Sequence, residues 1–455
     1  MGVIALGPKQ ITLGESKSDL VGDAGFSASS YGLNLTKKKG ALYFVDGGTD
    51  RSQSVLTGTL IASAYDKNLL GNDNYFLDDE GAFYTYNGTT LTKRQTVTAD
   101  TFVSGTSDML QFLGSVFATS QTRVVKLDSS DITTLDSSWW TGLTTSYRHP
   151  LERVEDKLAI GDVNNIHVWD GTTSTANWVV LPTDVNITSL RKHPDGRTLL
   201  AFCGLTANAS HTRGLGGRVY YVDMVLRKWT REVELDVQVE GSRVVGGTVY
   251  VTYGRKLGYF NGDGVMFLKD LPSSQTTYSH NLIAFEDILV TRDGRDILMF
   301  GDLGQGKVWW RSMKNTTNTQ EISCLAYQGD NKLLYGFGNG SGGGFLYDLD
   351  FDNVGNFGIF YSNRYVLEAE IKPQKFIVLH DTSNSSGQSR FVVSYRDHND
   401  NTNTLIDRTF TNVSAQRTEE NIDLLPTTEI FQFSLSPSQD DLGFYQFRIP
   451  FNAVQ

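Results

Sequence analysis

Three aspartates, Asp348, Asp350 and Asp352, occupy alternate positions and are the chain's clearest hint of metal chemistry. Carboxylates at i, i+2 and i+4 converge on calcium when the backbone turns around the ion. In an extended strand they share one solvent face instead. The glutamate that closes a helical calcium loop would fall at position 359, which is Ile359. The expectation is therefore a polar strand end. The histidines, His149, His167, His193, His211, His280, His380 and His398, show no His-x-x-x-His spacing for zinc. No Gly-x-Ser-x-Gly elbow or Cys-x-x-Cys pair occurs. The glycine-rich run 338–344 lacks the Gly-Lys-Ser/Thr ending of a phosphate loop. Cys203 and Cys324 lie in apolar strand patterns and read as buried free thiols. The doublets Trp139-Trp140 and Trp309-Trp310 could form a sugar platform, but such pairs more often fill space between sheets. These residues predict no catalytic, cofactor-binding or metal site.

The elements that must position these residues repeat. A short strand, a turn and a second strand ending in a small polar residue recur at Asn87, Asp128, Asp170, Asp223, Asn261, Ser312 and Asp348. The intervals run from 36 to 53 residues, the scale of a four-stranded propeller blade. An all-β, seven-bladed β-propeller over 41–362 is predicted, with eight blades as the alternative if Asp46 marks a further copy. Residues 41–45 and 55–66 are expected to close the ring, because a circular array hides its edges only when one terminus completes the last sheet. The Pro194-Asp195-Gly196 sequence predicts a hairpin turn within a blade. The best helical candidate, 131–143, is short and interrupted.

After Asp348 the repeat stops. Six strand patterns follow, at 365–371, 376–380, 390–395, 404–410, 429–435 and 443–451, and predict a β-sandwich over 363–455. Residues 1–40 are polar and read as an extended arm. Its spaced apolar residues Val3, Ile4, Leu6, Ile11, Leu13, Leu20 and Val21 are suited to docking on a neighbour.

Bulk composition agrees with many short strands. Of 455 residues, 45 are Gly and only 9 are Pro, with 20 Tyr and 25 Phe. A net charge of −11 argues against a nonspecific nucleic-acid or anionic-membrane surface. The N-terminus lacks the charged start and apolar run of a signal peptide, and no run of about 18 apolar residues predicts a membrane span.

Turns such as Trp169-Asp170-Gly171-Thr172 and Tyr86-Asn87-Gly88-Thr89, the polar segment 7–39, and the exit Phe360-Tyr361-Ser362-Asn363-Arg364-Tyr365 together carry a resemblance. In this style the chain resembles tailed-bacteriophage virion proteins of the tail nozzle, hub or adaptor type. The resemblance implies a non-enzymatic structural protein, made in the host cytoplasm and incorporated into the virion. Its implied partners are other virion proteins and copies of itself in a ring-shaped homo-oligomer. DNA would pass transiently without specific binding, eased by the acidic charge. The competing expectation is a glycan-binding or glycan-cleaving propeller, a receptor-binding protein or glycosidase. It would require carboxylates such as Asp162, Asp223, Glu286 or Asp302 to converge at the ring mouth.

Overall fold

The computed structural model describes residues 2–6, 30, 33–37, 42–44, 48–52, 55–65, 74–98, 100–103, 105–128, 135–205, 216–271, 282–304, 306–314, 320–329, 331–338, 343–352, 360–362, 365–382, 388–396, 402–411, 416–421, 428–437 and 442–453. Every described element is a β-strand. No helix among these residues is long and apolar enough to cross a membrane. The short helix considered at 131–143 is replaced by a strand, Leu135–Thr141, whose paired tryptophans suit a pleated surface.

The fold is a seven-bladed β-propeller. Blade 1 is Leu60–Tyr65, Asn74–Asp78, Ala82–Tyr86 and Leu91–Thr96. Blade 2 is Met109–Phe112, Ser115–Thr119, Arg123–Asp128 and Leu135–Thr141. Blade 3 is Leu151–Val154, Lys157–Asp162, Asn165–Trp169 and Ser174–Val180. Blade 4 is Val185–Lys192, Thr198–Leu205, Gly217–Asp223 and Lys228–Leu235. Blade 5 is Gly241–Val245, Thr248–Tyr253, Lys256–Phe260 and Val265–Asp270. Blade 6 is Leu282–Phe285, Ile288–Asp293, Asp296–Asp302 and Lys307–Lys314. Blade 7 is Ile322–Gly329, Lys332–Gly338 and Gly344–Asp350, completed by Thr49–Asp50 from the other end of the chain. The first strands of successive blades neighbour one another all the way round, and Ile322–Gly329 meets Leu60–Tyr65 to close the circle.

Ring closure differs from the expectation in its details. Tyr43–Phe44 pairs with Leu33–Asn34 rather than with a blade. Leu60–Tyr65 opens blade 1. The closing strand is the two-residue Thr49–Asp50. The Arg51 amide donates to Leu346 O at 2.7 Å, and its guanidinium meets Asp348 Oδ2 at 2.9 Å.

Burial follows position in the blade. Second and third strands such as Asn74–Asp78 and Ala82–Tyr86 are buried along their whole length. The outermost Lys228–Leu235 is mostly exposed. The apolar clusters lie between blades: Val154, Ile166 and Val185 join blade 3 to blade 4, and Phe202, Val219 and Val251 join blade 4 to blade 5. The pairing of third and fourth strands carries a β-bulge in each of blades 1 to 6. A bulge adds local twist, so the outer strand turns away from the sheet below it. At Gly258 in blade 5 a Cβ would lie 2.4 Å from Met266 O across this irregular pair, so the position requires glycine.

The chain separates into two compact units, 50–295 with 318–348, and 1–49 with 296–317 and 349–455. The second contains a nine-stranded sheet. One half is Thr402–Thr411, Gln388–Arg396, Thr428–Pro437 and Phe360–Tyr361; the other is Gly2–Leu6, Leu442–Ala453, Lys375–Thr382 and Gln416–Asn421. Tyr365–Pro373 joins the halves, pairing first with Thr428–Pro437 and then with Leu442–Ala453. The six strand patterns found in the sequence correspond to six of these strands. The polar Gln416–Asn421 escaped notice because it carries no apolar alternation and sits at a sheet edge. Gly2–Leu6 runs antiparallel to Leu442–Ala453, from Gly2 opposite Phe451 to Leu6 opposite Phe447. Val3, Ile4 and Leu6, expected to await a neighbour, are thus paired within the chain; Ile11, Leu13, Leu20 and Val21 lie outside the described residues.

Candidate functional site

The inner strands surround a channel, and its lining sets the site apart from the rest of the ring. A strand near the axis presents alternate side chains to the opening, so charged residues can occupy positions that are deep but not sealed. A cavity of about 190 Å³ lies here, lined by Asp108, Gln111, Arg191, Arg243, Tyr65 and Tyr327 among others.

Polar groups at and around it fasten blades together. Asp108 Oδ2 accepts the Leu151 amide at 2.9 Å, joining blade 2 to blade 3, while Oδ1 accepts the Met109 amide at 2.8 Å. Glu152 Oε2 takes Arg191 Nη1 at 2.7 Å, joining blade 3 to blade 4, and its Oε1 accepts the Arg153 amide at 3.0 Å. Ser189 and Ser242 hydroxyls meet at 2.7 Å between blades 4 and 5, and Arg191 Nε donates to Ser242 Oγ at 3.3 Å. Ser63 Oγ donates to Leu325 O at 3.0 Å between blades 1 and 7. The Arg148 guanidinium donates to the Glu240 carbonyl.

Arg243 differs. Its guanidinium makes no hydrogen bond or ion pair among the described residues, and the side chain remains partly open to the cavity. Burial, and then the neighbouring charge of Arg191, push it down to about 10, against the opposing pull of Glu152 and Asp108. The Arg243 donor fork therefore has no protein acceptor among the described residues.

The residues singled out in the sequence have other duties. Asp162 is buried in the seam between blades 2 and 3, where its Oδ1 accepts the Thr144 amide at 3.0 Å. His149 Nδ1 and His167 Nε2 flank it at 3.5 and 3.7 Å. Burial works against the Asp162 carboxylate, but His167, Thr144 and His149 hold it below its ordinary range. Burial pushes His149 down, with Asp162 pulling the other way. Asp223 accepts the Val225 and Leu226 amides at 2.9 and 2.8 Å. Asp302 accepts those of Gly304 and Gly306 at 2.6 and 3.1 Å. Glu286 is an exposed turn residue with φ of 52°. Each of these carboxylates belongs to its own seam or turn.

The repeat markers become intelligible at the same time. Asn87, Asp170, Asp223 and Asn261 each cap the turn from third to fourth strand by accepting amides two and three residues ahead. In blade 6 Asp302 fills this role, not Ser312. Ser312 is buried in the outer strand, with its hydroxyl against Met299 Sδ at 2.6 Å. In blade 7 Asp350 caps the Asp352 amide at 2.9 Å, while Asp348 binds Arg51. The alternating aspartates thus serve separate partners, and no group of three metal-ligating side chains occurs among the described residues.

Trp139 packs against Phe117 at 4.8 Å and Trp169 at 5.3 Å, and Trp140 lies 5.2 Å from His167. Trp309 stacks on Phe300 at 4.5 Å, and Trp310 is fully buried. Cys203 and Cys324 are buried free thiols, and burial pushes Cys324 up to about 12. The channel residues were missed by the sequence reading. Their signal was a charged residue in, or immediately before, the first strand of successive blades, at Asp108, Glu152, Arg191 and Arg243, spaced at the blade period.

No protein-family model matches the chain, and no curated protein matches it. Among solved structures it is similar to one titled "YCF48 bound to D1 peptide", with 11% identity and a TM-score of 0.43, over 65% of this chain and 94% of that one.

Proposed function

We propose that the chain is a non-enzymatic structural component of a bacteriophage virion, most naturally of the tail, acting through subunit contacts. The observation that carries this reading is that sheet edges are paired from within the chain. Thr49–Asp50 completes blade 7, with Arg51 held by Asp348. Gly2–Leu6 is paired along five residues of Leu442–Ala453. Edges that are paired in this way do not template stray association. A ring closed by its own strand suits a rigid block in an assembly. The polar residues considered for chemistry are engaged in turns and seams, which supports a mechanical rather than a catalytic role.

Light scattering on the purified chain tests the proposal, together with immunodetection in density-purified phage particles from the producing host. A discrete ring-sized oligomer and a stoichiometric particle signal are expected. A strict monomer absent from particles, or robust hydrolysis of a polysaccharide by the isolated protein, would overturn it.

A further inference from the structure

We propose that the propeller channel binds a small carboxylate, or a chain end bearing one, on the Arg243 guanidinium. The proposal is independent of the virion reading and rests on four observations. First, Arg243 lies in the first strand of blade 5, deep in the ring, yet its guanidinium has no hydrogen-bonded or ion-paired partner among the described residues. A guanidinium only partly open to solvent and without protein acceptors loses hydrogen-bonding free energy on folding unless something else satisfies it. Second, its neighbours are fixed in place. Arg191 is held by Glu152 and Ser242, so it cannot swing away to make room.

Third, the nearby negative charges are already engaged. Both Asp108 oxygens accept backbone amides, and both Glu152 oxygens have donors. They act on Arg243 through space but do not close its donor fork. The planar fork matches the two oxygens of a carboxylate, a geometry lysine cannot offer. Fourth, the cavity of about 190 Å³ is smaller than the ~300–1,000 Å³ of drug-sized pockets, which limits the occupant to a small molecule or a terminus. Its lining includes Tyr65, Tyr327 and Leu282 beside the charged groups, which gives an apolar body somewhere to rest. Tyr65 and Tyr327 lie 6.1 Å apart, and Phe285 packs on Tyr327 at 5.2 Å, so that wall is braced.

The test compares sodium benzoate, inorganic phosphate and chloride at equal ionic strength, using thermal melting and isothermal titration on the full-length chain. Wild type should show saturable stabilisation by benzoate over chloride. Arg243→Met should fold with an unchanged or higher melting temperature, because it removes an unsatisfied cation, and should lose the benzoate effect. Arg243→Lys should keep the charge yet weaken benzoate binding at least tenfold. A melting temperature lowered by several degrees in Arg243→Met, or failure of that variant to fold, would make Arg243 a structural residue and overturn the site. Equal benzoate responses in wild type and Arg243→Met, or a preference for phosphate over benzoate, would overturn the carboxylate assignment.

Discussion

The outer turns and the inner channel use polar side chains in opposite ways. At the turns, Asn87, Asp170, Asp223 and Asn261 reach amides two and three residues ahead, so each interaction closes within its own hairpin. In the channel, Asp108, Glu152, Ser189 and Ser242 reach across to the next blade. Local closure costs little chain entropy and repeats with the sequence. Cross-blade closure exists only once the ring has formed. A polar group left over in the first setting meets water; one left over in the second, as Arg243 is, awaits a ligand.

The comparison can be broken most severely at Glu152. Glu152→Ala should leave the largely buried Arg191 without its ion-pair partner and cost about 3–5 kcal/mol of unfolding free energy in urea titration. A loss under ~1 kcal/mol would mean that channel water replaces the carboxylate, and that cross-blade ion pairs do not differ from turn contacts. Asp108→Ala comes next. It orphans the Met109 and Leu151 amides, and a loss of about 2–3 kcal/mol is expected by the same measurement. Asp108→Asn should recover part of that loss, since one amide oxygen remains to accept. Ser242→Ala removes the partner of Ser189 and of Arg191 Nε; a loss of about 1 kcal/mol is expected.

The smallest effect should come from a turn. Asp170 is held at about 2, below its ordinary 3.8, by hydrogen bonds from the Thr173 amide and then from Thr172. Its depressed value means that its stabilisation is present above about pH 4 and is lost as pH falls toward 2. Asp170→Asn keeps a carbonyl oxygen for the same amides. Its urea midpoint should lie below wild type at pH 7 and converge with it between pH 4 and pH 2, where wild type loses the carboxylate charge. A wild-type slope in that window unchanged by the substitution would show that this turn contributes nothing to acid sensitivity.

Much of the architecture was legible because the blade turn is a local chemical event. An Asp or Asn heads this turn in blades 1, 3, 4, 5 and 6, and spacing alone exposed the period. Ser312 misled for the same reason. The segment Trp309-Trp310-Arg311-Ser312 has the apolar-then-polar look of a third strand, whereas Asp302-Leu303-Gly304 is the turn. Ring closure by Thr49–Asp50 was invisible, since a two-residue strand carries no periodicity. The bulges between third and fourth strands were equally hidden, because they answer to the twist between neighbouring strands and not to a residue type.

By itself the sequence determined the all-β class, the blade period and the change of pattern after Asp348, since each follows from local alternation and turn chemistry. Only the tertiary structure decided which polar residues meet. Glu152 and Arg191 are 39 positions apart, and Arg243 lies 52 further on, yet all three face one axis. Whether a charge there finds a partner depends on how seven sheets are set around that axis. That left Arg191 clamped and Arg243 without an acceptor, and so placed the candidate binding site in the channel rather than at the aspartates and tryptophans that stood out along the chain.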